Sequence, residues 1–322
     1  MHLIKFKDRD DWVASRKDGL GSSEIAGIMG YNRFSSPLKV WMDKTGRDKK
    51  DVDNMFTRAG NYLEEPIARW FADSTKTHVR MARDWAGSEF VICHSTGCTW
   101  ARATPDAFID LALSPGSEIL PLANKLGIES GSVGLLEIKN TSAWKADDWV
   151  TGPPPMVYAQ VQWQMFCTGH RWAAVAVLIG GNDMRWFIVQ WDEDMIMEMQ
   201  TAGHRFWHTH VKPDVAPEVQ GDVDKEFLQQ LYPDEDMSEG SVALDAEAAD
   251  WDDEIIAAQA RIKDDTQKVK DLKAKLIGKI GRNSEGILPD GTKYTYKKFS
   301  KKGYVREVKA WTGRVLRRSK KK

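Results

Sequence analysis

Apolar positions along this chain follow a helical period first, then a strand period, then a helical one again. Over the first 75 residues the spacing is mostly helical. Ser36 sets an N-cap in front of Pro37, and Gly46 stops the segment, which predicts a short helix over 37–45. Ser22 or Ser23 caps another helix that runs to about Met29 and closes at Gly30. Met55 to Ala72 keeps the spacing but contains Gly60 and Pro66, so a kink or a fresh start is expected near Glu65-Pro66. β-branched and aromatic residues separated by turn residues then predict strands over Thr77–Ala82, Glu89–His94 and Trp100–Asp110.

Residues 111–132 read as a long excursion, followed by a short apolar strand from Val133 to Lys139. Pro153-Pro154-Pro155 opens a helix that Gly169 ends, with Val157, Val161 and Met165 as its buried stripe. Trp172–Ile179 and Arg185–Trp191 flank Gly180-Gly181-Asn182-Asp183, a hairpin signal, and a helix from about Asp192 to His208 closes the domain. This order predicts an α/β domain over 1–210, a central mixed β-sheet flanked by helices. Residues 211–250 read as an acidic linker, and 251–322 as a long helix with a basic hairpin and tail. Ile255, Ile262, Val269 and Leu276 recur every seven residues on that helix, which is expected to dock on the protein or pair in a helical hairpin. Pro289-Asp290-Gly291 then leads into a hairpin of Lys293–Phe299 with Tyr304–Val308.

Composition adds limits. The chain has 322 residues, 42% of them hydrophobic, with 14 Trp and 11 Phe, which excludes a wholly disordered protein. The longest apolar run, Trp172 to Gly180, falls far short of the ~20 residues of a membrane span. No apolar signal core follows Met1, and three cysteines do not make a disulfide framework, so a cytoplasmic, reducing setting is expected. The net charge of −1 conceals a segregation: 261–322 carry 21 Lys and Arg against 6 Asp and Glu, while 211–260 carry 2 against 15. The basic end suits a polyanion such as nucleic acid, or is simply a solvated tail.

The candidate chemistry sits where the strands end. Asp106, in Thr104-Pro105-Asp106, precedes Glu137-Ile138-Lys139. Alternate residues of a strand share a face, so Glu137 and Lys139 point the same way and Ile138 points into the core while its carbonyl stays available. Asp106 on a neighbouring strand reaches the same spot. Two carboxylates and a carbonyl oxygen suit Mg²⁺, with Mn²⁺ as a substitute, and an ammonium beside them orients water or steadies a phosphoryl group. An acid-X-Lys triplet alone is common; as an exposed strand-end pair it would mean nothing. Glu64 adds a carboxylate from the helical layer, and Gln160 and Gln164 share a helix face that edges into the cleft. Arg16, followed by Ser22 and Ser23 at a helix start, makes a phosphate site or a plain N-cap. Cys93-His94, Cys98 and Cys167 form at most a partial metal corner, with no evident fourth ligand.

Taken in order, Arg16 with Ser23-Glu24, Gly60 with Leu63-Glu64, Pro105-Asp106, Glu137-Ile138-Lys139 and Gln160-Val161-Gln162 resemble the YqaJ-type viral recombinase family over roughly residues 10–190. That family includes lambda exonuclease and belongs to the PD-(D/E)XK nucleases. The resemblance implies a restriction-endonuclease-like core and a Mg²⁺-dependent 5′→3′ exonuclease on double-stranded DNA ends. Such an enzyme leaves 3′ single-stranded tails for a single-strand annealing protein and works as a homo-oligomeric ring. It would be encoded by a phage or prophage in a bacterial host. By the same resemblance Asp106, Glu137 and the Ile138 carbonyl hold metal, Lys139 serves the water, and Glu64 and Gln160 complete the site. Arg16 and Ser23, with Ser22 beside them, hold the 5′ phosphate. The 111–132 excursion and the extension past 210 depart from the shorter members. An endonuclease of the same fold, or a non-catalytic DNA-binding recombination accessory, is the alternative.

Overall fold

In the computed structural model, which describes residues 2–48, 54–235, 240–298, 300 and 318, the helix expected to start on a Ser22 or Ser23 cap starts instead on Gly21, whose N–H donates to the Glu24 carboxylate at 2.6 Å, and Ser22 is its first residue. Ser36 accepts the Lys39 N–H at 3.1 Å and starts a helix at Pro37, while Asn54 and Asp192 cap two others. The chain divides into two units, Met1–Pro233 and Asp234–Lys322. The first runs β1 (His2–Lys5), α1 (Arg9–Ser15), α2 (Ser22–Ile28), α3 (Pro37–Lys44), α4 (Met55–Thr75), β2 (His78–Met81), α5 (Ala82–Ala86), β3 (Val91–His94), β4 (Arg102–Ala103), β5 (Ala107–Asp110), α6 (Leu120–Lys125), β6 (Val133–Thr141), α7 (Pro155–Thr168), β7 (Trp172–Ile179), β8 (Asp183–Gln190), α8 (Glu193–Phe206) and α9 (Lys225–Leu231). The second holds α10 (Ala246–Ile280) and a small hairpin of β9 (Glu285–Ile287) with β10 (Lys293–Thr295).

The central sheet has the order β2-β5-β6-β7-β8 and is mixed: β6 and β7 are parallel, and the other neighbours are antiparallel. A three-stranded sheet, β1-β3-β4, lies apart from it in the hydrogen-bond network. The period of two along β6 and β7 feeds two cores. Leu136, Ile138, Ala174, Ala176 and Leu178 pack with Ile67 and Phe71 of α4, whereas Leu135, Ala173, Val175 and Val177 pack with Val157, Val161 and Met165 of α7. A third core joins α2, α3, α7 and α8. Among the described residues no helix is long and apolar enough to cross a membrane.

Further expectations are corrected. The helix from Met55 to Thr75 is continuous through Pro66, because Pro66 lies on its exposed side while Ile67, Ala68 and Phe71 are buried against the sheet. The strand expected over Trp100–Asp110 is two, Arg102–Ala103 and Ala107–Asp110, in different sheets. Pro105 has no N–H to continue a ladder, and the chain changes sheets there. The 111–132 stretch carries α6 and buries Leu111, Ile119, Ala123 and Ile128 in the core under α4. Residues 211–233, read as linker, belong to the first unit. There Phe227, Leu228 and Leu231 pack on the third core, and Asp224, fully buried, accepts from the Ser36 hydroxyl. The acidic average of the segment hides those apolar positions. In the second unit Lys293 onward pairs with Glu285–Ile287; the expected partner, Tyr304–Val308, lies outside the described residues. The seam residues Ile255, Ile262 and Val269 are exposed.

Gly134 is required by a close approach. A Cβ there would stand 2.4 Å from the Trp172 ring, whose indole N–H donates to Ser132 at 2.9 Å. Gly134→Ala is therefore expected to cost about 1–3 kcal/mol, read as a lower denaturation midpoint by circular dichroism; an unchanged midpoint would contradict this packing.

Candidate active site

Parity along β6 builds the site. Glu137 and Lys139 project from the α7 face, and their charged ends touch, Lys139 donating to Glu137. Glu137 is 1% exposed, and the glutamines one helical turn apart on α7 hold it. Gln160 Nε2 donates to its Oε1 and Gln164 Nε2 to its Oε2, each at 2.7 Å. Asp106 stands just before β5, where the ladder with β6 stops at Ala107 and Leu136. Its carboxylate accepts the Ile138 N–H at 2.8 Å, and its carbonyl accepts Ala82 N–H at 2.9 Å. The side chain thus replaces the backbone partner that β5 lacks there. Glu64 enters from α4 and interacts electrostatically with Glu137 and Lys139.

Three carboxylates face one ammonium, and the protons of Asp106, Glu64 and Lys139 report it. Burial, then the charges of Glu137 and Glu64, push the Asp106 carboxyl well above the usual range, against the pull of Lys139. Glu64 is raised by burial and by Glu137. Burial alone would lower Lys139, but Glu137, Asp106 and Glu64 outweigh it and hold it above an ordinary lysine. The uncompensated negative charge, on hard oxygen donors, fits a hard divalent cation. Gln164 Oε1, buried beside Glu137, has no hydrogen-bond partner. Among the described residues no three His, Cys, Asp or Glu side chains already form a cation cage: Glu137 is drawn to Lys139 and the glutamines, Asp106 to Ile138. That holds equally for the Cys93, His94 and Cys98 corner, where burial lifts the Cys93 thiol to about 12.

The Arg16, Ser22 and Ser23 stretch lines a separate small pocket of about 40 Å³ with Gly19, Lys44, Arg102 and Thr104. Leu20 is zipped onto the β4 region: its N–H donates to the Trp100 carbonyl at 2.6 Å, and its carbonyl accepts Arg102 N–H at 2.9 Å. Thr104 lines the pocket two positions before Asp106, so one short segment serves both places. Trp163 of α7 ties them together, its indole N–H shared by the Leu20 and Arg102 carbonyls at 3.2 Å each. Arg16 is exposed and lies 5.3 Å over the Trp12 ring. Behind it Lys44 is buried, pairs with Glu24 at 2.6 Å and donates to the Arg16 carbonyl at 2.6 Å. Burial pulls the Lys44 ammonium down despite Glu24.

Sequence reasoning missed Lys44 and Arg102. A lysine in the last turn of a helix is commonplace, so Lys44 carried no local signal. Arg102 had one: it lies four positions before Asp106, an even offset along the stretch read as a strand. Gln162, part of the motif, is structural, donating to the Gln190 carbonyl at 2.7 Å and accepting Asp192 N–H at 3.0 Å.

The model of the YqaJ-like viral recombinase domain matches residues 11–171, half of the chain. The chain belongs to this family. The match takes in every site residue described above. The chain is also 28% identical over 246 residues to the uncharacterized protein YqaJ of Bacillus subtilis (strain 168), covering 75% of this chain and 68% of that protein. Among solved structures it resembles an alkaline exonuclease (LHK-Exo) from Laribacter hongkongensis at 18% identity, covering 69% of this chain and 97% of that one, with a TM-score of 0.47. A phage-related exonuclease from Haemophilus somnus 129PT matches at 11% identity over 65% of this chain and 97% of that one, with a TM-score of 0.35.

The carboxylate cluster sets a pH dependence. A carboxyl whose native pKa is raised above its unfolded value contributes stability that is full below the unfolded value and is lost as pH rises through the native one. For Asp106 the loss begins above the ordinary value of 3.8. Asp106→Asn keeps an acceptor for Ile138 and removes the charge. In metal-free buffer its advantage in melting temperature over the parent should be small near pH 4 and grow toward pH 8. A constant difference across that range would refute the crowding of charge at this site.

Proposed function

We propose that this member of the family is a Mg²⁺-dependent exonuclease that digests double-stranded DNA from 5′ ends and leaves 3′ single-stranded tails for annealing-type recombination. The observation that carries the reading is the meeting of Asp106, Glu137 and Lys139 at one spot, with Gln160 and Glu64 around them. Asp106, Glu137 and the Ile138 carbonyl would hold the cation, with Glu64 close by. Mg²⁺ bound there supplies a lowered pKa for water and offsets charge on the phosphoryl oxygens. Lys139 donates a hydrogen bond to the attacking water or to the phosphate, and its raised pKa keeps it an ammonium. Gln160 and Gln164 hold Glu137 in place. Arg16, Ser23 and Ser22 grip the 5′-terminal phosphate; Arg16 supplies a forked donor and the serines supply hydroxyls. A single-strand annealing protein as partner, a ring of identical chains, and the cytoplasm of a bacterial host as setting complete the proposal; all three rest on the family resemblance.

Lys139→Ala should lower digestion of end-labelled linear duplex by roughly 100-fold or more, the scale for one lost charge-stabilising donor. The parent should release label only with Mg²⁺ and should leave covalently closed circles intact. Undiminished digestion by the variant would refute the role of Lys139, and cleaved circles would favour an endonuclease. Arg16→Ala should erase about 10- to 100-fold of the preference for phosphorylated over hydroxyl 5′ ends, the worth of a charged hydrogen bond. Equal rates on both ends by the parent would remove the phosphate grip from the reading.

A further inference from the structure

α10 spans 35 residues and buries only Ile280. Along it Trp251, Ile255, Ala258, Ile262, Asp265, Val269, Leu272 and Leu276 recur at alternating steps of four and three, a seam broken once, at Asp265. Of these, Trp251, Ile255, Ile262, Val269 and Leu272 are 48–65% exposed. An apolar stripe of roughly 37 Å, at 1.5 Å per residue, is left facing water. The charge beside it is segregated as well. Residues 246–258 carry five Asp and Glu and no Lys or Arg, while 259–280 carry seven Lys and Arg and three Asp.

We propose that α10 pairs antiparallel with α10 of a second copy of this chain. Reversal lets the seam close on itself: Trp251 meets Leu276 of the other copy, Ile255 meets Leu272, Ala258 meets Val269, and Ile262 covers Asp265. The flanking positions then bring Glu254 beside Lys275 across the pair, twice by symmetry, and Lys273 toward Asp252, which already accepts from Arg318 of its own chain at 2.7 Å, against one repeated mismatch of Arg261 with Lys268. A parallel pair has no such matches. It would set Lys268 beside Lys273 and stack Asp265 on its own copy in the seam. Exposed ion pairs contribute little to strength but set orientation. The two helix dipoles also oppose each other only in the reversed arrangement.

The test uses the full chain. By light scattering on a sizing column, the parent particle should have twice the mass of the Ile262→Ala, Val269→Ala variant. Alanine keeps helix propensity, so equal far-ultraviolet helicity separates lost pairing from an unfolded helix. Equal masses would overturn the proposal. Orientation is read by oxidation. With Ile255→Cys and Leu272→Cys in one chain, a disulfide-linked dimer should form, reversible by reductant and absent from the parent. Ile255→Cys alone should not link, since its counterpart lies about 25 Å along the reversed helix. Linking by the single variant without a gain in the double one would mean a parallel pair and overturn the assignment.

Discussion

α7 is enclosed on nearly every side through its last two turns, and that constraint orders the first unit. A helix without a wet face must satisfy each of its polar side chains inside the protein. Gln160 and the Gln164 amide N–H do so on Glu137, Gln162 on the strand-to-helix turn at Gln190 and Asp192, and Trp163 on the Leu20 and Arg102 carbonyls, with Gln164 Oε1 the exception. Each bond fixes a different neighbour. The acid cluster and the Arg16 pocket are thereby held in register by one rigid element, beside the short segment from Thr104 to Asp106 that also joins them.

The cost of this arrangement is electrostatic. Glu137 is almost without solvent and is served by donors, whereas Asp106 and Glu64 are crowded by its charge. Lys139 answers only part of it. Stable proteins seldom leave like charges so close unless something else is to be held there, and local violations of this kind concentrate at working sites. The Lys44–Glu24 pair has the opposite character, one charge answered by one, and it acts as a foundation under Arg16.

Much of this was legible in the residues. Caps at Ser36 and Asp192, the Gly169 stop and the hairpin at Gly180 each depend on local chemistry, and local chemistry survives folding. The shared face of Glu137 and Lys139, and of Gln160 and Gln164, followed from period alone. What the sequence concealed was tertiary. Pro66 was tolerated because of which side of α4 faces the sheet. Residues 211–233 joined the first unit through four apolar side chains, Val211, Phe227, Leu228 and Leu231, and one buried aspartate, too few to shift an acidic composition. Lys44 gained its place from a partner twenty positions away.

Gly134 through Lys139 carries chemistry and foundation on alternate residues of one strand. Inserting or deleting one codon there would swap the two, sending Leu136 and Ile138 toward the cleft and the charges into oil. The neighbouring 111–132 stretch has no such parity to keep at its surface turns, so a residue added to one of them would leave the facing of the strand beside it unchanged.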